Sequence, residues 1–119
     1  MRRVVVTGLG IISPIENNAE EVTASLRAGR SGITFAEDYA ANGFRSQVHG
    51  RPDIVLEDHI DKRDLRFMGP GAAYNFLAMQ QAIADSGLTE DEVSNPRSGL
   101  IMGSGGPSTS NFFTAFTVV

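Results

Sequence analysis

The sequence of 119 residues contains no cysteine and no tryptophan. Without cysteine, the chain cannot form a disulfide, offer a thiolate to a metal or supply a cysteine nucleophile. Its two histidines, His49 and His59, stand beside Gly50 and Asp58 and belong to no cluster with metal-ligand spacing. We therefore expect both histidines at the surface, and we expect neither a metal nor another cofactor in this chain.

Long apolar runs and an excess of positive charge are also missing. No stretch approaches the roughly 18 apolar residues that a membrane helix needs, and residues 1–3 lead into a strand pattern instead of a signal-peptide core. The formal net charge is -4 at pH 7, which argues against general nucleic-acid binding. These absences predict a cytoplasmic protein whose partners are neither membranes nor nucleic acids.

The residues that are present have the composition of an ordinary globular unit, with 41% hydrophobic and 20% charged residues. Val4, Val5 and Val6 predict a strand that is buried on both faces, and residues 98–103 predict a second one. Helical patterns lie between the two strands, so the connection predicts a right-handed parallel crossover. The expected fold class is α/β, with a mixed, largely parallel sheet and helices on both of its faces.

The first helix is predicted to begin after Asn18, with Glu21 at the capping-box position, and to end at Gly29. Val22, Leu26 and Ser25 are expected on its inner side. The stretch that follows, residues 34–58, has little periodicity and predicts short strands such as residues 44–48.

A longer helix is predicted over residues 72–86, with Gly87 as its C-terminal stop. Thr89 and Glu92 form a second capping-box pattern, and Pro96 keeps the helix that follows short. The apolar residues of the longer helix are expected to face the core: Ala72, Phe76, Met79 and Ile83.

Gly8 and Gly10, at the end of the first predicted strand, resemble part of a dinucleotide-binding fingerprint. Pro14 stands where the phosphate-binding helix should begin, and Ser13 takes the place of the third glycine. Residues 30–33 offer no carboxylate for a ribose hydroxyl. A tight strand-to-loop turn is the favoured interpretation, and a nucleotide-binding module is kept as an alternative.

The segment 111–119 is unusually apolar for the end of a chain, since six of its nine residues are apolar. Exposed to water, these side chains would form an apolar patch that promotes association, so a covering surface is expected. The cover is either a partner chain or the remainder of a domain that this chain only begins.

Five blocks of sequence carry a resemblance to a known family. They are VVVTGLGIIS at 4–13, SLRAGRSGI at 25–33, RFM at 66–68, AIADSGL at 82–88 and GLIMGSGG at 99–106. In this order and spacing they resemble the N-terminal part of the bacterial β-ketoacyl-acyl-carrier-protein synthases, and type I more than type II. The resemblance extends over nearly all of the chain.

This resemblance implies a thiolase-like layered fold, of which residues 1–119 are an incomplete first half, and a homodimer when the protein is complete. It also implies an acyltransferase of fatty-acid biosynthesis, which joins an acyl group to malonyl on acyl carrier protein in a decarboxylative Claisen condensation. The family's acylated cysteine and its two histidines are absent from this chain, so none of its residues is assigned a catalytic role. The chain alone is expected to be inactive.

Lys62, Arg63 and Arg66 match positions at which basic residues of the family meet the acidic carrier protein. Their spacing of three and four residues would bring Arg66 beside the other two on one helical turn. A solvated charged turn, balanced by Asp61 and Asp64, is the plainer alternative.

Gly105, Gly106 and Pro107 follow the second predicted strand, where the family's acyl pocket lies near the dimer interface. Glycine leaves room for an acyl chain, and proline stiffens the segment that follows the strand. A tight turn into the next helix explains the same residues.

Three further interpretations remain open. The chain is a non-catalytic fragment or a half that a companion chain completes, or it is the nucleotide-binding module considered above. A polyketide-type relative with another acyl acceptor is the third.

Overall fold

A computed structural model describes residues 3–117 of the chain. The chain forms two compact units. The main unit contains the residues up to Gly10 together with those from Val55 onward, and the 11–54 unit contains Ile11–Ile54. In the part of the chain that the structure describes, no helix has both the length and the apolar character needed to cross a membrane.

The 11–54 unit contains two helices and two short strands: α1 Ala19–Arg27, β1 Ile33–Phe35, α2 Glu37–Ala41 and β2 Val48–Gly50. As predicted, the Asn18 side chain caps α1, and its Oδ1 accepts a hydrogen bond of 2.9 Å from the Glu21 amide. β1 and β2 pair antiparallel, with Ile33 opposite Gly50. The strand expected at residues 44–48 is therefore displaced, because pairing with β1 begins only at Val48.

A small polar cluster in the 11–54 unit joins α1 to residues on either side of it. Ser25 is fully buried, and its hydroxyl donates a hydrogen bond of 3.0 Å to Glu16 Oε1. Arg30 lies 3.9 Å from the same carboxylate oxygen. Val22 and Ser25 are buried as expected, whereas Leu26 is 61% exposed, so the prediction was wrong for Leu26.

The main unit contains a short 3-10 helix, Leu56–Asp58, and four α-helices: α3 Lys62–Leu65, α4 Pro70–Ser86, α5 Glu90–Val93 and α6 Thr109–Thr117. Proline at the first position of α4 needs no hydrogen-bond partner for its nitrogen, which explains why the helix begins before residue 72. At its other end Gly87 adopts a left-handed conformation with φ of 67°, as the predicted stop requires.

The buried side of α4 differs from the predicted one. Ala73 and Leu77 are buried, whereas Phe76 is 39% exposed. The helix is apolar on more than one side, so the spacing of its apolar residues did not determine which side is covered. Ile60 is the third buried apolar residue of this unit.

The predicted parallel sheet is not present among residues 3–117, whose one sheet is the β1–β2 pair. Val4 is 93% exposed and Ile101 is 96% exposed, so neither predicted strand has a paired neighbour on the main unit. A strand needs such a neighbour for its backbone hydrogen bonds, which local sequence cannot supply. The predicted crossover is likewise absent from the described residues.

Helix α5 begins as its capping-box pattern predicts. The Glu92 carboxylate accepts hydrogen bonds of 2.9 Å from both the amide and the hydroxyl of Thr89. These hydrogen bonds, the amide first, stabilise the ionised carboxylate and hold the pKa of Glu92 below its usual value.

Candidate functional site

A cavity of about 800 Å³ lies in the main unit, beside the N-terminal halves of α4 and α6. The segment 100–104 and the loop that follows it form another side. The wall is mainly apolar, through Met68, Phe76, Met79, Leu100 and Met102. A cavity of this size and character suits an apolar ligand.

The loop before α6 forms part of this wall. Gly106 and Pro107 line the cavity, whereas Gly105 is not one of the lining residues. Ser104 fixes the loop, because its hydroxyl donates a hydrogen bond of 2.7 Å to the carbonyl oxygen of Gly106. No atom lies within 4 Å of the position that a Cβ on Gly106 would occupy, so a side chain there has open space.

Gly69 is a structural determinant of the cavity that sequence reasoning missed. A Cβ at this position would lie 2.7 Å from Ser108 Cβ and 2.8 Å from Ser108 Oγ. Glycine therefore lets the start of α4 lie against the start of α6. The signal was the triplet Gly69-Pro70-Gly71, which predicts a turn but does not identify what approaches it.

The three predicted basic residues lie together, as their spacing indicated. Lys62 and Arg63 are on α3, and Arg66 is the C-cap residue with helical backbone angles. Asp61 begins the helix by accepting a hydrogen bond of 2.7 Å from the Arg63 amide. All three basic side chains are exposed.

The charges on this turn are only partly balanced. Arg63 Nε lies 3.7 Å from Asp64 Oδ1, and both side chains are well exposed, so the pair contributes little to stability. Lys62 has no ion pair with any of the residues 3–117. Between residues 61 and 66 three cations stand against the two carboxylates of Asp61 and Asp64, so this turn has a formal charge of +1 on a chain whose net charge is negative.

Gly8 and Gly10 lie against α4. A Cβ on Gly8 would approach the Ala82 carbonyl oxygen and lie 2.8 Å from the Ser86 amide nitrogen. Between the two glycines, the Leu9 amide donates a hydrogen bond of 2.9 Å to Asp85 Oδ2. Close packing on a helix therefore accounts for the glycines that the nucleotide-binding alternative assigned to a pyrophosphate.

The two histidines differ in their exposure and their surroundings. His59 is exposed, and His49 is half-buried with its ring edge-on to Tyr39, at 5.6 Å between ring centroids. Among the described residues, no group of three or more histidine, cysteine, aspartate or glutamate side chains is arranged to hold a metal ion.

The chain is similar to condensing enzymes over most of its length. Residues 1–116 match the model of the family "Beta-ketoacyl synthase, N-terminal domain". The chain is 50% identical over 119 residues to 3-oxoacyl-[acyl-carrier-protein] synthase 1 of Haemophilus influenzae, covering all of this chain and 29% of that relative. It is 52% identical over 109 residues to the enzyme of the same name from Escherichia coli K12, covering 91% of this chain and 27% of that relative.

Solved structures give the same result for the fold. The ishigamide ketosynthase/chain length factor superposes with a TM-score of 0.62 at 40% identity, over 76% of this chain and 23% of that one. A β-ketoacyl synthase from Burkholderia phymatum superposes with a TM-score of 0.62 at 29% identity, over 77% and 23%. The chain spans less than a third of the length of each of these relatives, and by its family match it belongs to the β-ketoacyl synthases, in their N-terminal domain.

Proposed function

We propose that residues 1–119 are the N-terminal part of a 3-oxoacyl-acyl-carrier-protein synthase of fatty-acid biosynthesis, a cytoplasmic homodimer when complete. The observation that supports this most strongly is the 50% identity, over all 119 residues, to a relative with that name. The proposed reaction needs no metal or other cofactor.

The proposed reaction is a decarboxylative Claisen condensation. An acyl group passes from its carrier to a cysteine, and malonyl on acyl carrier protein loses carbon dioxide. The resulting carbanion attacks the acyl carbonyl, a carbon-carbon bond forms, and the cysteine leaves as thiolate. Because this chain contains no cysteine, the nucleophile has to come from the remainder of the protein.

The cavity is the proposed site for part of the acyl chain. Its apolar wall favours a hydrocarbon ligand over a polar one. Gly106 and Pro107 are the proposed boundary of this site, with Gly105 directly before them. The remaining wall and the reacting groups are assigned to the rest of the enzyme.

The turn formed by residues 61–66, called the basic turn below, is the proposed contact for acyl carrier protein. Lys62, Arg63 and Arg66 are exposed and close together, as an acidic partner requires. The relatives are named 3-oxoacyl-[acyl-carrier-protein] synthase 1, and this name supports an acyl carrier protein as that partner.

In the complete protein, we expect thiolase-like layers, which are not present among residues 3–117. Val4–Val6 and residues 100–102 are proposed as strands of a mixed, largely parallel sheet, paired with neighbours from the remainder of the chain. Their high exposure here supports such pairing, because apolar β-branched residues are normally covered.

A condensation assay tests the proposed activity. The full-length protein, incubated with an acyl-carrier and malonyl-carrier, is expected to release carbon dioxide and form 3-oxoacyl-carrier, whereas the 119-residue chain forms neither. Prior alkylation of the full-length protein by iodoacetamide, the control, is expected to abolish the reaction. A full-length protein that forms no product from both carrier-linked substrates would contradict the proposal.

A second prediction concerns chain length. Gly106→Leu in the full-length enzyme places a side chain in the cavity and is expected to lower kcat/KM for long acyl chains relative to short ones by about tenfold. The measurement is kcat/KM over a series of acyl-carrier substrates. Gly99→Leu is the matched control, since a Cβ there also has open space but Gly99 does not line the cavity. Equal chain-length profiles for the two variants would refute the assignment of Gly106.

A ketosynthase that extends another kind of chain is the second candidate. The 40% identity to the ishigamide ketosynthase/chain length factor favours it, although the identity to the fatty-acid enzymes is higher. The same assay with acceptors other than fatty acyl groups distinguishes the two.

A further inference from the structure

Phe67 is the most exposed large apolar residue on the turn that follows α3, with 76% of its surface accessible. Its apolar neighbours Leu65 and Met68 are both half-buried. The turn therefore directs two apolar side chains inward and leaves its aromatic one in water. An exposed aromatic of this kind is a feature of binding surfaces, since burial of its ring is a large source of affinity.

The backbone fixes Phe67 beside the cations. The Phe67 amide donates a hydrogen bond of 3.1 Å to the Asp64 carbonyl oxygen, and the Met68 amide donates one of 2.9 Å to that of Leu65. The chain thus continues past Arg66 in a tight turn with 3-10-type hydrogen bonds, which keeps Phe67 close to the end of α3 and next to Arg66. These backbone hydrogen bonds fix the place on the turn from which the Phe67 side chain projects.

Arg66 contacts the ring directly. Its guanidinium carbon lies 4.5 Å from the Phe67 ring centroid, within the range of a cation-π interaction. The contact joins the two side chains into one surface, in which the guanidinium supplies a positive charge and the ring supplies an apolar area. A partner that buries the ring must at the same time approach Arg66.

From this geometry, and resting on the proposed function, we infer that Phe67 is an apolar contact for acyl carrier protein, at the centre of its basic docking surface. The matching surface is a helix that presents an apolar side chain between acidic ones. The acids meet Lys62, Arg63 and Arg66, while the apolar side chain covers the ring. Aromatic and arginine side chains in such central positions contribute most of the affinity of an interface.

Charge argues against a second copy of this chain as the occupant. A two-fold contact centred on the Phe67 ring would bring Arg66 of one copy beside Arg66 of the other, because Arg66 lies against the ring. Like charges that face each other across an interface are unfavourable, whereas an acidic carrier relieves this repulsion. Of these two occupants, the carrier fits both the charge and the ring.

Phe67→Ala in the full-length enzyme is expected to raise KM for malonyl-carrier about tenfold, with kcat unchanged. Kinetics with malonyl-pantetheine, which lacks the carrier protein, are expected to stay as in the unaltered enzyme. Phe67→Leu keeps an apolar side chain and is expected to recover most of the affinity. The salt dependence of KM is expected to stay unchanged in both variants, because no charge is lost.

Phe44→Ala is the matched control, because Phe44 is 57% exposed and belongs to the 11–54 unit instead of the turn after α3. Equal KM values for Phe67→Ala and Phe44→Ala would overturn the inference. It would also fail if Phe67→Ala impaired the pantetheine reaction as much as the carrier reaction, since the ring would then be structural. If charge reversal of the basic turn weakens carrier binding while Phe67→Ala does not, only this inference fails and the proposed docking site remains.

Discussion

Replacing Lys62, Arg63 and Arg66 together by glutamate in the full-length enzyme is expected to raise KM for malonyl-carrier about a hundredfold at low ionic strength. All three side chains are exposed, so the change replaces attraction by repulsion without disturbing a buried group. They are not assigned to the reacting atoms, and kcat is therefore expected to stay within about twofold of its original value. Steady-state kinetics over a range of salt concentrations provide the measurement.

A second triple variant separates local charge from net charge. Arg27, Arg51 and Arg97 are exposed arginines outside the basic turn, and their replacement by glutamate changes the net charge by the same amount. We expect this variant to change KM only slightly. Salt is expected to reduce the difference between the two variants, because the Debye length is about 10 Å at 0.1 M. A carrier affinity that is the same in both would remove the basic turn from the docking site.

Gly10→Ala is expected to destabilise the protein by about 3 kcal/mol. A Cβ at this position would meet the Ala78 carbonyl oxygen and lie 2.8 Å from the Ala82 amide nitrogen. These are backbone atoms of α4 and cannot rotate away as the end of a side chain can. The N-terminal segment must therefore move off the helix, or the helix must bend. Denaturant unfolding of the full-length protein measures the change.

Gly99→Ala is the control for this experiment. No atom lies within 4 Å of its Cβ position, and Gly99 is not in the left-handed region. We expect its free energy of unfolding to change by no more than about 0.5 kcal/mol. Gly8→Ala, which also meets the backbone of α4, is expected to behave like Gly10→Ala. Equal stability of Gly10→Ala and Gly99→Ala would show that the close approach to α4 is not required.

Elements whose signals are local could be predicted from the sequence. Asn18 caps α1, Gly87 ends α4, and Thr89 with Glu92 begins α5, each through hydrogen bonds or backbone angles within a few residues. The helical turn that gathers Lys62 and Arg66 follows from spacing in the same way. Such features depend on the nearest neighbours along the chain and hardly on the rest of the molecule.

Features that depend on distant partners could not be predicted in this way. Val4 and Ile101 have strong strand propensity, yet propensity does not provide a neighbouring strand, and both are exposed here. For α4, spacing identified Phe76 as core, whereas Leu77 is buried. The exposed ring of Phe67 and the close approach at Gly69 were missed because each is defined by what lies next to it in space.

The hydrogen bond from Leu9 to Asp85 joins residues that are 76 positions apart. Ribosomes add about 5–20 residues each second, so several seconds pass between the synthesis of residues 8–10 and that of the helix on which they settle. During that interval residues 8–10 lack the helix backbone on which they pack. We therefore expect the packing of residues 8–10 on α4 to form after the local turns and caps of the helices, because contacts between distant residues form later than local ones.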